Sequence, residues 1–221
     1  MKKKILLVCL VAMMLFVTGC GTTNGGGTSS GKNELNQENE KLTDKITTQA
    51  YQLANGEMIA IIKNDNKTEV DLKMEIEFFD ENNQFIDSSE DYAFGVGAGR
   101  EITAYFYDVP ENFATYKLYA DATKTYSITY YDKVELTHSN NGEEIIAQVK
   151  NNSDTVIDSI KVSVVYYKDG KPVGYDYDLD SDIKAGRTAN FNLDYPYDKN
   201  YRDIPFDTYK VFLNAAESYS Y

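Results

Sequence analysis

Tryptophan is absent from this 221-residue chain, histidine occurs once and cysteine twice, and each scarcity removes a class of function. Cys9 and Cys20 both lie in the first twenty residues, so nothing downstream can be closed by a disulfide or hold zinc through thiolates. His138, in the polar run from Thr137 to Gly142, is the sole imidazole. A Ser-His-acid triad has only that base to draw on, and no nucleophile-elbow motif accompanies it. Carboxylates alone can cleave sugars, but scattered acids in so acidic a chain read as solvated surface, and the expectation is a protein without catalytic activity. Cations are also few: 22 Lys and Arg stand against 35 Asp and Glu, a formal charge of -13. That balance is repelled by phosphate backbones, which excludes nucleic acid as a partner. In abundance are 19 Tyr and 10 Phe, side chains that suit the pleated surface of β-strands.

The first segment is cationic, Met1 to Lys4, and then apolar from Ile5 to Val17, too short for a bilayer that takes roughly 20 helical residues to cross. It reads as an export signal that closes on Val17-Thr18-Gly19-Cys20. This ending resembles the lipobox of bacterial lipoproteins. The resemblance implies cleavage between Gly19 and Cys20 and a diacylglyceryl lipid on the Cys20 thiol. It also implies residence on the extracytoplasmic face of the cell membrane, held there through the lipid anchor, with any envelope or protein partner left open. Residues 20 to 44 are then expected to form a flexible tether, because Gly21 to Gly31 is rich in Gly, Ser and Thr and the charged run behind it has little to bury. Its coil reach of about 25 to 30 Å suits the outer face of a Gram-positive membrane. Within it, Leu35, Leu42 and Ile46 fall near one helical face, a stripe of three that is weak support for a short helix.

Behind the tether the chain uses one ten-residue stretch twice. Phe113-Ala-Thr-Tyr-Lys-Leu-Tyr-Ala-Asp-Ala122 returns as Phe206-Asp-Thr-Tyr-Lys-Val-Phe-Leu-Asn-Ala215. Asn-Gly-Glu at Asn55 and Asn141, Lys-Asn at Lys63 and Lys150, and Ala-Gly-Arg at Ala98 and Ala185 recur with it. The repeat predicts two domains, 45 to 126 and 127 to 221, with no linker between them around Tyr126.

Periodicity decides their class. Val70, Leu72, Met74, Ile76 and Phe78 are apolar while Asp71, Lys73, Glu75 and Glu77 are charged, an alternation that buries one face only if the chain is extended. Ile160, Val162, Val164 and Tyr166 continue the pattern in the second copy. There Ile157-Asp158-Ser159-Ile160 carries one residue too many, which predicts a β-bulge near Asp158 and Ser159. Asp169-Gly170 supplies the positive φ of a tight hairpin. Six or seven short strands per copy give an all-β fold of two tandem antiparallel β-sandwiches. The Lys-Asn polar loop, the alternating strand, the aromatic pairs at Phe78-Phe79 and Tyr166-Tyr167 and the Ala-Gly turn resemble the FxLYD domain, a small immunoglobulin-like sandwich of bacterial and archaeal envelope proteins. The resemblance implies that fold and no common activity.

Three groups of residues are candidates for binding. Asp176, Asp178, Asp180 and Asp182 alternate on one strand and suit Ca²⁺ by charge, although the glycine and the bidentate Glu of an EF-hand loop are missing. Arg100 and Arg187 occupy the same turn in both copies, and a guanidinium fork binds carboxylate or phosphate bidentately. Tyr197 and Tyr201 lie in a loop, Tyr197 to Ile204, that the first copy lacks. The leading expectation is a membrane-anchored surface lipoprotein acting as a non-catalytic binding or spacer module. The alternative is a solute- or Ca²⁺-capturing lipoprotein. A cavity of several hundred Å³ at the domain junction would favour the second.

Overall fold

The computed structural model describes residues 30–218. Cys20 and the Gly19–Cys20 bond lie outside the described residues. A helix, α1 (Ser30–Thr43), opens the described chain. Six strands follow: β1 (Ile46–Gln52), β2 (Met58–Asn64), β3 (Val70–Phe79), β4 (Phe85–Val96), β5 (Glu101–Phe106) and β6 (Thr115–Lys124). A two-residue strand, β7 (Ile128–Thr129), and a 3-10 turn at Tyr131–Lys133 lead to the second half: β8 (Val134–Asn140), β9 (Glu144–Asn151), β10 (Ile157–Lys168), β11 (Lys171–Ile183), β12 (Thr188–Asp194) and β13 (Thr208–Ser218). All pairings between strands are antiparallel.

The strand orders of the two halves correspond. β1-β2-β5 and β4-β3-β6 make the sheets of the first, β8-β9-β12 and β11-β10-β13-β7 those of the second. Each pair of sheets encloses its own core, as the alternating sequence requires. In the first, Val70, Leu72, Met74, Ile76 and Phe78 of β3 meet Met58, Ala60, Ile62, Ile102, Ala104 and Phe106 of the opposite sheet. Each fully buried side chain of this size contributes roughly 1.5 to 3 kcal/mol of transfer free energy. On the outer face of β3, Lys73 pairs with Glu90 across to β4 at 2.5 Å. In the second half Ile160, Val162, Val164 and Tyr166 pack on Ile145, Ala147, Val149, Phe191 and Leu193.

Two expectations need correction. Residues 30–43, read as part of a flexible tether, form α1. The cause is tertiary: Leu42 packs on the first core, its carbonyl accepts from Asn66 Nδ2 at 2.9 Å, and Thr43 Oγ1 accepts from the Ala122 amide at 2.9 Å. The helix end thereby covers an edge of β6, a partner that no local pattern reveals. The bulge expected near Asp158 and Ser159 lies three residues further on. The register of β10 against β13 shifts between Lys161 and Val162, and the extra residue, Asn214, belongs to β13. Ile157 and Ile160 both still reach the core. The hairpin at Asp169 and Gly170 is as predicted, with φ of 51° and 74°.

A third apolar cluster, Leu53, Ile59, Val165 and Phe212, with Ile61, Tyr105, Tyr167 and Tyr175 at its margin, belongs to neither core. It joins the outer face of β1-β2-β5 to the outer face of the β10 sheet. Because β2 is covered on both sides, Met58, Ile59, Ala60 and Ile62 are all fully buried, the continuous apolar run of a doubly covered strand.

Candidate functional site

The repeated motifs have structural work that accounts for their duplication. Asn64 and Asn151 are fully buried. Asn64 Nδ2 donates to the carbonyls of Thr68, Val96 and Gly97, and Asn151 Nδ2 donates to those of Thr155 and Ile183. Their Oδ1 atoms accept from the amides of Asn66 and Ser153. Each asparagine therefore clamps the loop after its own strand to the end of a neighbouring one. Gly99 and Gly186, at φ 71° and 73°, donate their amides back to the carbonyls of the same two asparagines at 2.7 and 2.8 Å. A residue other than Gly would be strained at that φ.

The arginines that follow those glycines part company. Arg187 is exposed and has no ion pair or ring contact among the described residues. Arg100 lies at the junction of the two halves, its Cζ 4.4 Å above the ring of Tyr131 and its Nη2 3.7 Å from Asp132. Tyr131 is itself buried, donates its hydroxyl to the Asn214 carbonyl at 2.9 Å, and has its phenol pushed upward first by desolvation and then by Glu217. Around Arg100 opens a cleft of about 590 Å³, lined from the first half by Lys63 and Glu101 and from the second by Leu136, Lys210 and Phe212. A smaller hollow of about 280 Å³ beside it shares Lys63, Glu101 and Lys210. Lys210 pairs with Glu101 across the junction and lies over Phe212, while Lys63 pairs with Asp65 at 2.5 Å.

Below the cleft the junction is sealed by a buried polar network. Thr103 donates its amide to Asn214 Oδ1 at 3.1 Å; Asn214 Nδ2 donates to Thr103 Oγ1 and Ser163 Oγ at 2.8 and 3.1 Å. Sequence reasoning missed these three residues, and the bulge that projects Asn214 was placed elsewhere. Their signal lay in comparing the copies: Asp121 stands where the second has Asn214, and Glu75 where it has Ser163.

The four aspartates do not converge on a cation. Asp176 Oδ2 accepts from the Asp194 amide at 2.7 Å and Asp178 Oδ2 from the Asn192 amide at 3.3 Å, both on β12. Asp178 and Asp180 also accept, through Oδ1, from the amides that follow them, and Asp182 takes φ 56° at the strand's end. In the first half Asp91 Oδ2 does the same for the Tyr105 amide at 2.9 Å. These carboxylates satisfy exposed edge amides between sheets, as unpaired edges require. Desolvation raises the Asp176 carboxyl to about 6. Among the described residues no group of three or more His, Cys, Asp or Glu is placed to hold a metal ion. His138 lies on β8, 3.3 Å from the Tyr209 hydroxyl.

Tyr197 and Tyr201 do come together, with stacked rings 5.6 Å apart and Tyr201 85% exposed. Their loop is held by Asp198, whose carboxyl is lowered to about 2 by hydrogen bonds from Arg202. A larger aromatic group bridges the halves nearby: Tyr105 stacks on Tyr175 at 5.3 Å, and the hydroxyls of Tyr107 and Tyr177 meet at 2.8 Å.

No family model matches the chain, and no curated protein matches it significantly. Among solved structures, the transglutaminase of red sea bream is similar over 84% of this chain and 29% of its own length, at 8% identity and a TM-score of 0.22. The chain thus spans under a third of that enzyme, at a similarity too low to carry either fold or activity. Among the described residues no helix is long and apolar enough to cross a membrane. What the chain can be said to be is an all-β protein of paired antiparallel sheets, sandwich-like in both halves.

Proposed function

We propose that this protein is a lipoprotein, anchored through Cys20 to the extracytoplasmic face of the cell membrane, that presents two FxLYD-like immunoglobulin-like domains as one rigid, non-catalytic binding module. The leader ending in Val17-Thr18-Gly19-Cys20 supports the address. The observation that carries the rigid-module reading is the buried contact between halves, where Val165, Phe212 and Asn214 stand in place of Glu77, Tyr119 and Asp121 of the first copy. A flexible pair of spacers has no use for such a seal, whereas a surface composed from both halves does. A second reading, capture of a small solute, is favoured by the cleft at that junction. Calcium binding finds no support in the arrangement of the four aspartates. Metabolic labelling with a palmitate analogue tests the anchor: wild type should carry the label and Cys20→Ala should not. An unlabelled wild type removes the lipoprotein reading.

A further inference from the structure

We infer that the cleft at the junction is a binding site for small multivalent anions, carrying clustered phosphates or carboxylates, with Arg100 as the principal contact and Lys63 and Lys210 beside it. The inference deepens the small-solute reading of this cleft and rests on it.

Charge is the first argument. In a chain of net charge -13, this concavity gathers Lys63, Arg100 and Lys210 along its walls with Glu101 as the only carboxylate lining it. Low-dielectric walls focus such a field on what enters. Geometry is the second. The Arg100 guanidinium is laid on the buried Tyr131 ring, and its stem is confined by Gly97, where an added Cβ would come within 2.8 Å of Arg100 Cδ. A stacked guanidinium keeps its in-plane N–H donors at the edge, so the fork is oriented before any ligand arrives. Third, the groups now facing these cations are replaceable. Asp132 is 3.7 Å from Arg100 with its side chain 99% exposed, and Asp65 and Glu101 are also open to solvent. Exposed pairs of this kind are weak in water and yield to a better anion.

Arg187 supplies an internal control, because it sits at the same turn position but is exposed, with no ion pair or ring contact among the described residues. Calorimetric titration of the detergent-solubilised full chain with pyrophosphate, with citrate and with inorganic phosphate at low salt tests the site. The expected result is saturable one-site binding of pyrophosphate, citrate or both, the two probes separating a phosphate from a carboxylate preference. Arg100→Ala should weaken it about tenfold and Lys210→Gln about threefold, while Arg187→Ala leaves it unchanged. Arg100→Lys, which keeps the charge but loses the fork and its stacking on Tyr131, should also bind about threefold more weakly. No saturable heat with any probe, an equal loss in Arg187→Ala, or wild-type affinity in Arg100→Lys would overturn the assignment. None of these outcomes touches palmitate labelling of Cys20, so the site and the anchor fail separately.

Discussion

Glu217 gives the sharpest stability experiment in the molecule. It is 5% exposed at the seam of the two halves, paired through the backbone with Thr129 of β7, and its Oε2 meets no hydrogen-bond partner among the described residues. Burial first, and the charge of Asp71 second, raise its carboxyl from an ordinary 4.5 to about 7. Between those two values the folded chain binds a proton that the unfolded chain has released, so stability must fall as pH rises. It is greatest below the unfolded value, declines from about pH 4.5 to about pH 7, and is flat above. At 1.36 kcal/mol per pH unit the full loss is about 3 kcal/mol, and relaxation around the charge makes about 2 kcal/mol a fair lower figure. Glu217→Gln keeps the shape and removes the titration. Urea unfolding between about pH 5 and 8 should therefore show the variant more stable than wild type by about 2 to 3 kcal/mol at the alkaline end, the difference shrinking to about 1 kcal/mol or less by pH 5. Asp176, raised in the same direction, titrates in both proteins and cancels in the comparison. A variant that is less stable than wild type at pH 8, or a difference that does not change with pH, would refute the reasoning.

Three further outcomes can be checked by the same unfolding measurements. Asn214→Asp places an unpaired charge in the network with Thr103 and Ser163 and should cost about 3 kcal/mol, while Asp121→Asn at the exposed copy should stay within about 0.5 kcal/mol; equal effects would mean that the halves are not in contact in solution. Asn151→Ala strands the carbonyls of Thr155 and Ile183 and should lose about 2 to 4 kcal/mol, a loss under 1 kcal/mol counting against the clamp. Gly174→Ala sets a Cβ 2.0 Å from Pro196 Cβ, and a cost of about 1 to 3 kcal/mol is expected; a neutral result would show that the loop after β12 yields.

Much of the scaffold was legible in the chain because burial on one face of a strand leaves a period-two record. Val70 to Phe78 could be read as a strand from its charges alone, and Asp169-Gly170 as a hairpin from the φ it demands. The repeated ten-residue stretch falls on β6 and β13, which hold corresponding places in the strand orders of the two halves. The failures share a cause. Helix α1 depends on Leu42 and Thr43 meeting the first core and β6, contacts distant in sequence. The aspartates of β11 look like a metal site in one dimension, and only the proximity of β12 shows that their acceptors face backbone amides. Lys63 and Lys210 lie in repeated motifs and Thr103 in none, yet no motif says that they meet at one junction, since each is defined by what the other half brings to it.

The junction was nonetheless recorded, in the differences between copies rather than in their likeness. On the second copy the outer face that packs against the first reads Ser163, Val165, Phe212 and Asn214. The corresponding face of the first copy, which is open to water, reads Glu75, Glu77, Tyr119 and Asp121, with the Tyr119 hydroxyl donating to Glu77 at 3.3 Å. Two of these exchanges remove a carboxylate outright, a third turns one into an amide, and the fourth removes a hydroxyl. All four changes are those that desolvation demands. The opposing face shows the reverse: Ile61 and Thr103, in the junction, stand where the second copy exposes Gln148 and Asn190, joined by a 2.8 Å hydrogen bond. A duplicated unit whose copies swung freely would have no reason to lose charge from one sheet in one copy and from the other sheet in its twin. The asymmetry is what a single fixed stacking of the two halves produces, and it is why Arg100 lines a cleft at the junction while Arg187, at the same turn position, stands exposed.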